Sequence, residues 1–207
     1  MPSAIPSRTS VKLIMPNAEK LPGLIGALQR GWTPDDDHDP VAAGRMLAAI
    51  ARDPAAYIAS LGNPQGGGQA VVLEDGRAVP RLPWLRYWII DAQNQYAGDL
   101  NLRWQHGTSA LPPYCLGHVG YAVVPWKRGA GLAAAALREL APIARDLGLE
   151  WLDIAMARDN AASIRAAENA GAKRVRPFNA GPEYGNVEAW LYRLPLDAHP
   201  ACGDKRL

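Results

Sequence analysis

Apolar residues first gather at positions 11–15, VKLIM, a short strand closed by Pro16 and Asn17. A helical spacing follows over residues 18–31, with Gly31 as its C-cap. A second helix has Asp39 as N-cap, Pro40 at the first helical position and Val41, Met46, Leu47 and Ile50 as its apolar stripe, until Asp53 and Pro54 stop it. From Gln69 the period shortens to two. Val71, Val72 and Leu73 before Asp75-Gly76, and Val79 after it, predict a hairpin. Residues 84–91 and 96–104 are rich in aromatic and β-branched side chains and flank a polar turn, which predicts an antiparallel meander. Residues 105–113, with one glycine and two prolines, read as a connector between strands.

The next apolar strand, residues 118–124, ends at Pro125, where a ladder donor is lost as the chain leaves the sheet. A glycine turn leads into a helix with Leu132, Ala136, Leu140, Ile143 and Leu147 on one face, and residues 148–157 return as a strand. This is a βαβ unit. Another helix opens at Asn160, a good N-cap, and closes at Gly171, before two last strands at 172–178 and 187–196 and a polar tail containing Cys202. The pattern predicts one compact α/β domain.

Composition narrows the partners. The 207 residues are 48% hydrophobic, enough for one sizeable core. The formal charge of +2 comes from scattered cations and acids, with no basic run that would mark nucleic acid. Apolar runs fall short of the ~20 residues of a membrane helix, so no membrane partner is expected. Cys115 and Cys202 have no metal-type spacing, no metal site is expected, and the N-terminus is not signal-like; a reducing cytoplasm fits. Asp35, Asp36, Asp37 and Asp39 form an acidic cluster that suits an amine substrate, although acids beside a helix N-terminus also serve capping and the helix dipole.

The chemistry concentrates in Arg128-Gly129-Ala130-Gly131-Leu132-Ala133. Two glycines let the backbone turn tightly, and the helix that begins there points unpaired N–H groups and about half a positive charge outward. That suits a phosphate or pyrophosphate, with Arg128 adding a full charge. Both familiar nucleotide loops are absent: there is no G-x-x-x-x-G-K-[ST], and Ala134 stands where G-x-G-x-x-G needs its third glycine.

The segment VVPWKRGAGLAAAAL resembles the acyl-CoA signature of the GNAT N-acetyltransferase superfamily, Arg/Gln-x-x-Gly-x-Gly/Ala, through Arg128, Gly131 and Ala133. DNAASIRAAENAGAKRV is similar to that family's second motif, through Asn160, Ser163, Glu168 and Gly171. The match spans residues 117–175, and GDLNLRW, LPPYCLGHVGY and GW-TPD add a similarity to a bacterial predicted-acetyltransferase subgroup. The resemblance implies a mixed α+β fold of GNAT type: a central mixed, mostly antiparallel sheet whose middle strands splay, flanked by helices. It implies a single acyl-CoA N-acyltransferase domain over residues 1–207, with a cofactor core at 115–178 and acceptor-side helices at 11–62.

On that resemblance the cofactor is acetyl-CoA. Its pantetheine arm lies in the splayed gap against backbone at Val123 and Val124, and its pyrophosphate sits on Arg128, Gly129, Ala130, Gly131, Leu132 and Ala133. Asn160 and Ser163 are further cofactor candidates, with helix capping as their structural alternative. The implied reaction is direct attack on the thioester by an amine of a small molecule or peptide; a non-catalytic acyl-CoA sensor is the alternative, and a homodimer is compatible with either. His118 and Tyr121 are the catalytic candidates, His118 having the pKa of a base, although a histidine buried in a sheet is also an ordinary core residue. Many family members place a Tyr immediately before the motif's Glu to protonate the thiolate, and here that position is Ala167.

Overall fold

The computed structural model describes residues 9–35, 40–73 and 75–196. Asp36, Asp37, Asp39 and Cys202 lie outside the described residues. In chain order the elements are β1 (Val11–Ile14), α1 (Leu21–Gln29), α2 (Pro40–Arg52), α3 (Pro54–Ala59), β2 (Gly62–Asn63), β3 (Val71–Val72), β4 (Ala78–Val79), β5 (Trp84–Asp91), β6 (Tyr96–Arg103), β7 (Val119–Val123), α4 (Leu132–Asp146), β8 (Trp151–Ala157), α5 (Ala161–Ala170), β9 (Lys173–Asn179) and β10 (Glu188–Pro195).

Where residues 18–31 read as one helix, α1 starts only at Leu21. Pro22 occupies its first turn, and Asn17 holds the preceding turn by accepting the Lys20 N–H at 3.0 Å. Asp53-Pro54 ends α2 and also begins α3, with the Asp53 carboxylate accepting the Ala56 N–H at 2.9 Å. The hairpin about Asp75-Gly76 stands apart as the two-stranded β3-β4 sheet.

Strand β5 is buried on both faces, which explains its nearly unbroken apolar run. Tyr87 and Ile89 enter one core with α4, β8 and β10; Trp88 and Ile90 enter the other with α1 and α2. One sheet runs β1-β5-β6-β7, with β2 also on β5; another runs β8-β10-β9. Every named ladder is antiparallel. The two sheets meet just before β7, where the His118 N–H donates to the Asp153 carbonyl at 2.7 Å. A Cβ on Gly117 would lie 3.0 Å from backbone atoms of Asp153 and Ala155, so glycine permits this approach. Beyond it β7 pairs with β6 and β8 with β10, and a gap opens between them. No helix among the described residues is long and apolar enough to cross a membrane.

Candidate active site

The chain leaves β7 through a 3-10 turn at Pro125–Lys127 and enters α4 at Gly131, whose φ of +74° is the left-handed conformation that glycine tolerates. Glycine supplies no capping side chain, and the first helical N–H with an intrahelical acceptor is that of Ala135, bonded to Gly131 O at 3.0 Å. The N–H groups of Leu132, Ala133 and Ala134 therefore point off the helix end. The Arg128 Nε–H donates to Val123 O at 2.9 Å, which ties the guanidinium to the end of β7.

These groups border a cavity of about 640 Å³ in the gap, lined by Tyr121, Val123, Arg128, Gly129, Gly131, Leu132 and Ala133 on one side and by Asn160, the N-cap of α5, and Ser163 on the other. Asn160 caps α5 by accepting the Ser163 N–H at 3.0 Å, so its capping and lining roles coexist. Ala130 does not line the cavity; its carbonyl accepts the Thr9 hydroxyl at 2.8 Å. Lys127 lines it while its Nζ is paired with Asp91 and with Gln95 Oε1, 2.8 Å away.

Besides Ala130, two of the expected residues stand elsewhere. Val124 is completely buried in the α1–α2 core and its N–H donates to Ala97 O at 3.0 Å, so it offers no donor to the gap. The same bond makes Gly98 and Val123 a non-hydrogen-bonded pair of the β6-β7 ladder, and by alternation the N–H groups of Tyr121 and Val123 face away from β6. His118 does not line this cavity. It is fully buried, its Nδ1 accepts the Asp153 N–H at 2.9 Å, and burial pulls its pKa down to about 4. A neutral imidazole with Nδ1 accepting carries its proton on Nε2 and joins β7 to β8. Asp153 is likewise engaged, by Arg193 at 2.7 and 2.9 Å.

Tyr121 does line the cavity. Its hydroxyl donates to Ser163 O at 3.1 Å, and burial pushes the phenol up, so it stays protonated at neutral pH. Ala167 is fully buried against the core, and no phenol reaches the cavity from that position. Glu168 of the second motif accepts the Tyr192 hydroxyl at 3.0 Å.

A polar cluster that the motifs do not mark lies on the opposite face of the sheet. Arg86 donates to Asp35 Oδ1 at 3.0 Å and Oδ2 at 3.3 Å, while its Nε lies 3.4 Å from Asp99 Oδ1. Asp99 is almost wholly buried, and burial raises its carboxyl to about 7 against the pull of Arg86. Asp35 lines the gap cavity as well as a second cavity of about 320 Å³ on this face. A sequence signal for the cluster exists: Asp99, Asn101 and Arg103 alternate along β6, a polar row in an otherwise apolar strand.

Known proteins agree with this architecture. No curated protein matches the chain. The Microcin C7 self-immunity acetyltransferase MccE, solved with acetyl-CoA and AMP, superposes with a TM-score of 0.56 at 13% identity over 90% of this chain and 92% of its own. The ribosomal L7/L12 alpha-N-protein acetyltransferase RimL, solved with coenzyme A, gives 0.56 at 15% identity over 94% and 99%. A chimera of the spermidine N-acetyltransferase SpeG from Vibrio cholerae gives 0.54 at 12% identity over 90% and 96%. These likenesses show a shared fold. Residues 30–173 match the family model described as an acetyltransferase (GNAT) domain, and the chain therefore belongs to the GNAT acetyltransferase family.

Proposed function

We propose that the chain transfers the acetyl group of acetyl-CoA to a primary amine of a small molecule or peptide by direct attack in a ternary complex. The carrying observation is the gap cavity, with the uncapped N-terminus of α4 and Arg128 at its edge. Family membership and the cofactor-bound similar structures support acetyl-CoA as the donor; two similar proteins are named for amine acceptors, a protein α-amino group and spermidine. In this reading residues 1–207 act as one unit, with the cofactor on the 115–178 side and the acceptor on the side of residues 11–62. The pyrophosphate sits on the N–H groups that follow Gly131, and the thioester lies against β7.

The amine nitrogen attacks the thioester carbonyl carbon, forming the C–N bond. The C–S bond breaks with its electron pair leaving on sulfur; the amine loses one proton and the thiolate gains one. An alkylamine with a pKa near 10.4 is about one part in a few thousand neutral at pH 7, a handicap of roughly 4–5 kcal/mol. Asp35, which lines both cavities and is paired with Arg86, takes that proton in this reading. The gap-facing N–H of Val123 is the donor for the developing oxyanion. Tyr121 replaces the missing family tyrosine as proton donor to sulfur.

Isothermal titration with acetyl-CoA and a thiol-release assay over an amine panel test this reading. Binding with release is expected; binding without release across the panel would leave the acyl-CoA sensor. Arg128→Glu is expected to weaken acetyl-CoA binding by about tenfold or more, since it reverses a charge beside the helix end. Unchanged affinity would remove the pyrophosphate from this turn. Tyr121→Phe should keep acetyl-CoA affinity while lowering kcat by about tenfold to hundredfold, the low end of acid catalysis because a thiolate with pKa near 8.5 partly leaves without help. An unchanged kcat would exclude Tyr121 as the acid.

A further inference from the structure

The second cavity is walled by one face of β5 and β6. Trp84 pairs with Arg103 and Arg86 with Asn101, so all four side chains stand on the same side of the sheet. Gly120 lies opposite Asn101 and donates its N–H to the Asn101 side chain at 3.1 Å, which fixes that amide from the third strand. The charged lining residues are Arg81, Arg86, Arg103 and Asp35. Arg86 is neutralised by Asp35 and Asp99. Arg103 donates to Asn101 Oδ1 at 2.9 Å, and neither it nor Arg81 has a carboxylate partner among the described residues. Among the described residues the cavity thus holds two guanidinium groups without a carboxylate partner, and one carboxylate, Asp35, that also lines the cofactor gap.

We propose that this cavity is the acceptor subsite and that the acceptor is a small amine carrying its own oxyanion, a carboxylate or a phosphate. The inference rests on the N-acetyltransfer reading above. An amine held at Asp35 faces the thioester, while the oxyanion meets Arg81 and Arg103, whose planar forks bind carboxylate and phosphate through paired hydrogen bonds. A volume of about 320 Å³ sits at the small end of ligand pockets, which suits a metabolite-sized molecule. A polyamine would bring several cations to a site with one carboxylate and three guanidinium groups, and like charges oppose it.

The test uses the full chain and matched amines: phosphoethanolamine against ethanolamine, alanine against alaninamide, and spermidine as the polycation. Titration of each into the coenzyme A-loaded protein is read beside thiol release from acetyl-CoA. In at least one pair the anionic member should bind, and turn over in kcat/KM, about tenfold better than its neutral mate and better than spermidine. Arg103→Gln should bring that pair within about twofold without changing acetyl-CoA affinity, and Arg81→Gln, at an exposed position where folding is not at stake, should reduce the preference in the same direction. The proposal is overturned if ethanolamine, alaninamide or spermidine is preferred throughout, or if the preference survives both substitutions. Preferential binding of the anionic amine without thiol release would instead overturn acetyl transfer and leave the subsite standing. Thiol release with no such preference would do the reverse.

Discussion

Gly98→Ala should lower stability by about 3 kcal/mol and disorganise the gap between β7 and β8 with it. Gly98 faces Val123 across the β6-β7 ladder, beside a register shift between Ile89 and Ile90 on β5. A Cβ there would fall 2.2 Å from Ala122 O and 2.9 Å from Val123 Cα. Both obstacles are backbone, so no rotamer change relieves the clash, and β7 must move off β6. That movement stretches the 3.0 Å bond from Val124 N–H to Ala97 O and displaces the N–H of Val123 that faces the gap. Overpacking a well-filled site costs about 1–3 kcal/mol, and the absence of any yielding side chain puts this one at the upper end or beyond. For a chain of this size that is a fall in Tm of about 6–12 °C. Gly26→Ala is the matched control: it lies within α1, a Cβ there meets nothing within 4 Å, and alanine is the better helix former by up to about 1 kcal/mol. Urea melts and acetyl-CoA titration of both variants decide the matter. A Gly98→Ala protein as stable as wild type would mean that β7 is not held against β6 as described.

What could be read from the amino-acid order follows from the range of the interactions involved. The turn at Gly129 and Gly131 was legible because φ values of +83° and +74° require a residue type that shows as a letter. The bounds of β5 and of α5 were legible for the same local reasons, an apolar run and an Asn160 to Gly171 cap pair. Which of the two readings of His118 applies was not legible, because its surroundings depend on Asp153, which only the meeting of two sheets brings to its Nδ1. Val124 was misassigned because the direction of a strand N–H is set by ladder register, here through Ala97. The helix α3 was missed because Asp53-Pro54 is both a stop and a start. The second cavity was hidden for a further reason. Asp35, Arg86 and Arg103 come from three separate segments, and none is unusual by itself.

Arg86→Met should cost about 1–1.4 kcal/mol more at pH 8 than at pH 5. Removing one partner of a buried ion pair leaves the other charge uncompensated, and the penalty is several kcal/mol while that charge persists. Asp99 can escape by taking a proton. Its folded pKa, about 7 with Arg86 present, already lies above the unfolded value near 3.9 because burial disfavours the carboxylate. A group shifted in this direction stabilises the fold below its unfolded pKa and loses that contribution as pH rises through the folded one. In the wild type the loss therefore runs between about pH 4 and 7, and without Arg86, which opposes the upward shift, it continues to higher pH. His118 slopes the other way, since a folded pKa of about 4 below the usual 6.5 makes stability fall as pH drops from 6.5 toward 4. That slope is common to both proteins and cancels in their difference. The gap between wild type and Arg86→Met, taken from urea melts, should accordingly widen from pH 5 to pH 8, and Asp99→Asn added to Arg86→Met should abolish the widening. A gap that stays constant with pH, or one that widens equally in the double variant, would show that Asp99 is not the group Arg86 holds in its charged form.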